Sequence, residues 1–91
     1  MKLKQSPPFT RAARKLLKRS PELKETLRLI LKLLATDELH PRLRTHKLKG
    51  QLQGRWACRV AYDIRIIFRF EEVDGEMFIV LLTIGTHDDV Y

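Results

Sequence analysis

The stretch from residue 44 to residue 70 reads RTHKLKGQLQGRWACRVAYDIRIIFRF. Seven of these 27 residues are Lys or Arg, and Asp63 is the only acidic one. The first half carries His46 and has no clear hydrophobic period, which predicts a long basic loop over residues 42–53. From Arg55 the pattern alternates with a period of two, which predicts two β-strands. A loop that bears an imidazole and ammonium groups, next to a sheet that exposes arginines, suggests a site for a phosphodiester.

The alternation assigns a face of the sheet to each side chain of the two predicted strands. Bulky residues share one face: Trp56, Cys58, Val60, Tyr62, Ile64, Ile66, Phe68 and Phe70. The opposite face carries Arg59, Arg65 and Arg69. Residues 71–76 contain Asp74-Gly75 and predict a hairpin turn. Residues 77–84 are apolar at nearly every position, as expected of a central strand that is covered on both faces.

Two helices are predicted before this stretch, over residues 7–19 and 21–36. Ser6-Pro7 is a typical helix start, with Ser as N-cap and Pro at the first helical position. Apolar residues then recur at helical spacing. The two stripes are Phe9, Ala12, Ala13, Leu16 and Leu17, and then Leu23, Leu27, Ile30, Leu31 and Leu34. Residues 1–5 alternate Met and Leu with Lys, which fits a short edge strand.

The predicted order of elements is therefore β-α-α-β-β-β. The apolar stripes of the helices can be buried against the Trp56 and Phe68 face of the sheet. This gives a two-layer α+β fold, in which the N-terminal strand and an αα-hairpin accompany a mainly antiparallel sheet. Ninety-one residues are enough for one modest core, so we expect residues 1–91 to form a single domain.

Charge is distributed unevenly along the chain. The net charge is +7, and residues 1–50 hold 14 Lys or Arg against four Asp or Glu. This asymmetry suggests a polyanion or an acidic protein as partner, although a solvated basic helix face gives the same pattern. One cysteine, Cys58, fits a reducing compartment. The polar N-terminus and the lack of a long apolar run predict a cytoplasmic protein without a membrane segment.

With these features the chain resembles the RelE/ParE superfamily of bacterial toxins from type II toxin–antitoxin pairs, and within it the YafQ-like branch. Four segments carry the resemblance, namely HKLKG at 46–50, WACR at 56–59, YDIRIIF at 62–68 and GTHDDVY at 85–91. With the helical hairpin before them, the resemblance covers essentially the whole chain.

The resemblance implies a ribosome-dependent endoribonuclease that cuts mRNA in the decoding site of the 70S ribosome. It also implies a cognate antitoxin that keeps the toxin inactive. We expect that antitoxin to bring acidic and apolar residues and to fold on binding. Operator DNA would be bound only through the antitoxin, because this chain has no recognisable DNA-reading helix.

The resemblance also implies a set of site residues. In the YafQ-like branch these are a His in the basic loop, a His on the next strand, an Asp at the end of that strand, and a C-terminal His and aromatic. The matching residues here are His46, Asp63, His87 and Tyr91. Arg59 replaces the strand His, as in the broader RelE pattern. Ile64 replaces the aromatic residue that follows the Asp.

RNA cleavage without a metal uses the neighbouring 2′-hydroxyl as nucleophile, so the protein must move two protons and stabilise charge on the phosphoryl oxygens. Arginine suits the second task because its planar fork holds two oxygens and stays protonated. We assign that task to Arg59. The flanking phosphates are assigned to Lys47, Lys49, Arg55 and Arg65.

Imidazole suits proton transfer because its ordinary pKa of about 6.5 lies near working pH. We therefore assign His46 and His87 as the proton-transfer pair, with Asp63 as the base or as the group that orients a His. Tyr91 would stack on a base or align the scissile phosphate. No metal-binding motif or glycine-rich phosphate loop is present, so neither a metal nor another cofactor is expected.

Two alternatives stay open. ParE relatives share the fold but inhibit DNA gyrase by binding, and an inactive relative would bind only its antitoxin. The nuclease is favoured over a binding-only toxin because the latter has no need of two imidazoles and a phenol around a basic pocket. From the residues alone, Asp63 also fits a simple turn, and Arg65 and Arg69 a solvated face of the sheet.

Overall fold

The computed structural model describes residues 1–91 and contains a five-stranded sheet with three helices. The strands are β1 (Lys2–Gln5), β2 (His46–Lys47), β3 (Trp56–Ala61), β4 (Ile64–Val73) and β5 (Glu76–Thr86). The α-helices are α1 (Pro7–Arg19), α2 (Lys24–Thr36) and α3 (His87–Val90). The strand order is β1-β5-β4-β3-β2, and only β1 pairs in parallel with its neighbour. The predicted α+β fold with a mainly antiparallel sheet is confirmed.

The helical hairpin has the predicted bounds, apart from its connection. The Ser6 side chain accepts a hydrogen bond from the Phe9 amide at 3.2 Å, as an N-cap does. The second helix begins differently, because Ser20 makes no side-chain cap and Pro21–Leu23 form a 3₁₀ turn before α2. No helix in the chain is long and apolar enough to cross a membrane.

The core lies between the helices and one face of the sheet, as predicted. Its buried members from the strands include Cys58, Ile66, Phe68, Ile79 and Leu81. The helices contribute the following fully or nearly fully buried side chains: Phe9, Leu27, Ile30 and Leu34. Trp56 is half-buried and packs edge-on against Phe70, with ring centroids 5.4 Å apart.

The other face of the sheet carries buried apolar side chains beside its arginines. Ala57, Ile67 and Val80 point to this face and are buried. Val80 is paired with Lys4 on one side and Arg69 on the other, and the alkyl parts of such long side chains can cover an apolar neighbour. Arg69 also forms an ion pair with Glu71 at 3.1 Å, so it is a structural surface residue.

The predicted loop over residues 42–53 contains more regular structure than its sequence indicates. Pro41–Leu43 and Gly50–Leu52 form 3₁₀ turns, and His46–Lys47 form β2. β2 pairs with β3, with His46 opposite Ala57 and Lys47 opposite Trp56. A two-residue strand has no hydrophobic period, which is why the pattern did not indicate it.

A register shift in β3 changes the position of Tyr62. Arg59 is paired with Arg65 and Ala61 with Ile64, so Val60 is an extra residue in this strand. Such a bulge interrupts the alternation of faces. Tyr62 was predicted to point to the core, and this is wrong: it lies in the turn between β3 and β4 and is 86% exposed.

The C-terminal helix α3 is fixed to the end of β5 by two local features. Thr86 and Asp89 form a capping box, in which each side chain accepts a hydrogen bond from the other residue's backbone amide. These hydrogen bonds hold the pKa of the Asp89 carboxyl below its ordinary value. The buried Gly85 lies beneath, and a Cβ atom there would be 2.8 Å from the Asp89 Cβ. Close packing of α3 on β5 therefore requires glycine.

The buried thiol gives a first prediction. Burial raises the pKa of Cys58 to about 12, so the thiol is protonated at neutral pH and shielded by the core. We expect a thiol reagent at pH 8 to label the native protein at least about a thousandfold more slowly than the urea-unfolded chain, because labelling requires unfolding. Labelling of native protein at the unfolded rate would show that the Cys58 side of the core is open.

Gly85 gives a second prediction. Gly85→Ala should push α3 away from the sheet, because the added methyl group overlaps the Asp89 side chain. Amide hydrogen exchange over residues 86–91 should become faster, while exchange in α2 should change little. Thr86→Ser retains the capping oxygen and should exchange like the parent protein. Unchanged exchange in Gly85→Ala would show that α3 can move without losing its attachment.

Candidate active site

The pairing of the strands aligns arginines across the face of the sheet that lies opposite the helices. Arg59 on β3 is the register partner of Arg65 on β4, and Arg65 is in turn the partner of Gly85 on β5. His46 belongs to the neighbouring row on the same face, because it pairs with Ala57. The row of arginines ends at the point where β5 passes into α3.

These arginines line a shallow groove of about 400 Å³, which we call the arginine groove. Its lining residues are Arg44, Arg59, Tyr62, Asp63, Arg65 and His87. Four of them, Arg59, Asp63, Arg65 and His87, were predicted as site residues from the sequence. The fold therefore brings together side chains from β3, β4, the turn between them, and α3.

The charge in the arginine groove is unbalanced. None of the three arginines has an acidic side chain within ion-pair distance, although the chain forms ion pairs elsewhere. Asp63 is the only carboxylate in the lining. Guanidinium groups that share a small groove repel one another, and an anion between them relieves that repulsion. The groove is thus suited to an anion that accepts several hydrogen bonds, such as a phosphodiester.

Arg65 has a structural task as well. Its Nη1 donates hydrogen bonds to three backbone carbonyls of the β3–β4 turn, those of Ala61, Tyr62 and Ile64, at 3.0, 3.2 and 3.2 Å. The other nitrogens of the guanidinium group form no hydrogen bond within the protein. Arg65 therefore holds the turn that carries Asp63, and it keeps donors free for a ligand.

His87 and Tyr91 form a contacting pair on α3. Their ring centroids are 4.5 Å apart and their planes are inclined by 58°. Burial raises the pKa of the Tyr91 phenol, and the Arg65 guanidinium offsets part of that increase. The phenol is therefore protonated at neutral pH and can donate a hydrogen bond. The Nδ1 atom of His87 lies 3.8 Å from the exposed carboxylate of Asp88.

His46 does not line the arginine groove. Its Nδ1 lies 2.9 Å from the carbonyl oxygen of Arg44. A carbonyl oxygen can only accept, so Nδ1 carries the proton and the neutral ring has its lone pair on Nε2. His46 is exposed on the same face as Arg59, in the adjacent row of the sheet.

The remaining predicted phosphate-binding residues lie in a separate groove of about 530 Å³, the loop groove. Lys47, Lys49 and Arg55 line it together with Trp56. The Lys47 ammonium lies 5.4 Å from the centre of the Trp56 ring, within the range of a cation–π contact. The structure therefore separates these three cations from Arg65, with which the sequence grouped them.

Sequence reasoning did not identify Arg44 and Tyr62 as lining residues. Arg44 follows the 3₁₀ turn Pro41–Leu43 and precedes β2, and neither of these short elements shows a period in the sequence. The alternation of apolar and polar residues places Tyr62 in the core, but the bulge at Val60 ends this alternation before Tyr62. The available signal for Tyr62 was its place directly before Asp63, since turn residues are mostly exposed.

Metal ligands are not gathered anywhere in the chain. No group of three or more His, Cys, Asp or Glu side chains is placed so that it could hold a metal ion. The residues of the arginine groove are better suited to bind an anion than a cation.

Comparison with known families gives a match over the whole chain. The family described as the bacterial toxin of type II toxin–antitoxin systems, YafQ, matches residues 1–91. No curated protein sequence matches the chain significantly.

Solved structures show the same fold at low sequence identity. YafQ from E. coli strain BL21(DE3) is 19% identical with a TM-score of 0.78, and 98% of this chain aligns with 96% of that one. YafQ in the E. coli DinJ–YafQ complex is 20% identical, with a TM-score of 0.73 and the same coverage. The YoeB/ParE toxin from Agrobacterium tumefaciens is 17% identical with a TM-score of 0.75, over 96% of this chain and 99% of that one.

These structures agree with the fold, and the family match covers every residue. The chain therefore belongs to the YafQ family of toxins from bacterial type II toxin–antitoxin systems.

Proposed function

We propose that this toxin is a ribosome-dependent endoribonuclease that cleaves mRNA without a metal ion. The observation that carries the proposal is the arginine groove, where three guanidinium groups without acidic partners face the same space as His87 and Asp63. A phosphodiester is the anion that such a groove can both bind and, with proton-transfer groups present, cleave.

Arg59 is the central residue for charge in this proposal. It lies in the middle of the row, with Arg44 and Arg65 also lining the groove. The attack of the 2′-hydroxyl increases negative charge on the equatorial phosphoryl oxygens. A guanidinium group in fixed position stabilises that charge without having to reorganise. Arg65 is fixed by its hydrogen bonds to the turn and would position the same phosphate from the other side.

Proton transfer needs one group that accepts a proton and one that donates it. His87 lies in the groove and contacts the protonated phenol of Tyr91, which favours these two residues for the leaving 5′-oxygen. Asp63 lies in the groove and is a candidate base. His46 is the other candidate, because its hydrogen bond to Arg44 leaves Nε2 free to accept a proton.

Substrate alignment would come from the ribosome. The arginine groove and the loop groove are both shallow and lie on one small domain, so they contact only a short piece of RNA. We propose that the 70S ribosome holds the mRNA in its decoding site while Lys47, Lys49 and Arg55 in the loop groove contact flanking phosphates. Such contacts would weaken steeply as salt is raised.

A cognate antitoxin is the proposed protein partner. The relative in the E. coli complex is bound to DinJ. In this chain, α1 exposes a row of cations and no acidic residue: Arg11, Arg14, Lys15, Lys18 and Arg19. An antitoxin with acidic and apolar residues would complement that face and the grooves. Operator DNA would be bound through the antitoxin.

The function is tested by expressing the toxin without its antitoxin in cells and mapping the 5′ ends of mRNA. We expect new ends inside translated reading frames, in phase with codons, because the ribosome presents the substrate. His87→Ala should abolish them, since it removes an imidazole from the arginine groove.

The other outcomes separate the alternatives. Growth arrest with intact mRNA would contradict the nuclease and favour a gyrase inhibitor of the ParE type. Neither arrest nor new ends would favour a relative that only binds its antitoxin. New 5′ ends of mRNA that persist in the His87→Ala variant would contradict the proton-transfer role of His87.

The role of Arg59 has a matched control on the same face of the sheet. Arg59→Ala should lower the single-turnover rate of cleavage on programmed ribosomes by roughly a hundredfold to a thousandfold, as is typical when a donor to transition-state charge is lost. Arg69→Ala should change the rate by less than about twofold, because Arg69 is paired with Glu71 and lies outside the groove.

Two controls complete this experiment. Thermal unfolding of both variants establishes that they are folded. An mRNA with a 2′-deoxy nucleotide at the cleavage position should resist cutting, because the attacking group is missing. Equal rates for Arg59→Ala and Arg69→Ala would contradict the assignment of Arg59.

A further inference from the structure

A third groove, of about 490 Å³, opens beside the arginine groove, and we call it the neighbouring groove. Its lining residues are Pro41, Arg42, Arg44, Arg59, Val60 and Ala61. Arg44 and Arg59 line both grooves, so the two are continuous across these side chains. The neighbouring groove contains three guanidinium groups and no carboxylate.

The composition of the neighbouring groove suits binding and excludes acid–base chemistry. It has no imidazole, carboxylate, hydroxyl or thiol in its lining. Arginine remains protonated in proteins and so cannot act as a proton-transfer group at neutral pH. An anion in this groove would therefore be held without being cleaved.

The segment that carries Arg42 and Arg44 is held in place by hydrogen bonds and burial. The His40 Nδ1 accepts a hydrogen bond from the Arg42 amide at 3.1 Å. Leu43 is fully buried in the core. The Thr45 hydroxyl donates to the carbonyl oxygen of Glu38 at 2.7 Å. The backbone beneath the two arginines is thus fixed, which lowers the entropy lost when they bind an anion.

Arg44 has an unusual backbone conformation for its residue type. Its φ and ψ are 49° and 41°, in the left-handed region. The only other non-glycine residue with positive φ is Asp74, in the β4–β5 hairpin turn. Asp tolerates this region through local hydrogen bonds of its short side chain, but Arg gains nothing of the kind. A glycine at position 44 would remove the strain, so the presence of Arg points to a use for its side chain.

We propose that the neighbouring groove is a second phosphate subsite, which binds the phosphodiester next to the scissile one on the same RNA strand. This inference rests on the proposed endoribonuclease function. Arg44 and Arg42 hold the neighbouring phosphate by charge-assisted hydrogen bonds, and Arg59 lies between the two subsites. The strand is thereby fixed on one side of the cleavage point, in addition to the alignment that the ribosome provides.

The test uses Arg44→Gly, which removes the guanidinium and suits the existing backbone. Its melting temperature should equal or exceed that of the parent toxin, because glycine is unstrained at positive φ. The matched control is Asp74→Gly, which makes the same backbone change at the far end of the hairpin. Arg44→Gly should lower cleavage on programmed ribosomes roughly tenfold to a hundredfold, the effect of losing a charge-assisted hydrogen bond. Asp74→Gly should cleave like the parent.

A neutral phosphate analogue locates the contact. The mRNA carries a methylphosphonate either one position 5′ or one position 3′ of the scissile phosphate, and each RNA is cut by the parent toxin and by Arg44→Gly. At one of the two positions the analogue should lower the rate of cleavage by the parent toxin. At that same position it should not lower the cleavage rate of Arg44→Gly any further. Such non-additivity is the signature of a direct contact.

Three results would overturn the proposal. In the first, the analogue slows the parent toxin and Arg44→Gly by the same factor at both positions. In the second, neither analogue slows the parent toxin. In the third, Arg44→Gly melts well below Asp74→Gly, which makes Arg44 a structural residue. Failure of the proposed function gives a different result from all three, because the parent toxin would then fail to cut unmodified mRNA. In that case the second subsite would also be disproved.

Discussion

The register of β4 is the constraint on which the candidate site depends. Ile64, Ile66 and Phe68 must face the helices, because together they form the centre of the core. A shift of one residue would expose these side chains and place Arg65 in the apolar layer, where an unpaired charge is very costly. The hydrophobic requirement on one face thus determines which residues lie on the other. Arg59 and Arg65 are side by side because the core leaves no other arrangement.

Two bulges and one glycine bring the remaining residues of the arginine groove into position. The bulge at Val60 turns the end of β3, so that Tyr62 and Asp63 leave the sheet and reach the arginine groove. A second register shift, at Leu82 of β5, is accommodated by Ser6, whose hydroxyl donates to the Leu82 carbonyl at 3.2 Å. Gly85 then allows α3 to pack closely and present His87. Bulges are common next to active sites because they direct a side chain away from the regular pleat.

The sequence allowed most of the fold to be predicted, together with four of the six residues that line the arginine groove. Burial repeats every 3.6 residues in a helix and every two in a strand, so the long elements are recognisable from one chain. β2 and the 3₁₀ turn before Arg44 are too short to show a period. Tyr62 was misassigned because a bulge is not visible in an apolar alternation. The catalytic assignments came from the family resemblance, and their roles stay predictions.

The same charges that suit the arginine groove to RNA make it unfavourable in the free protein. Arg44, Arg59 and Arg65 repel one another without acidic partners, and Arg44 also has a strained backbone. Natural proteins accept such costs at functional sites and compensate for them in the core. A partner that supplies carboxylates would remove the repulsion and so bind strongly to the groove. Activity and neutralisation by an antitoxin would then depend on a single feature, the unpaired arginines.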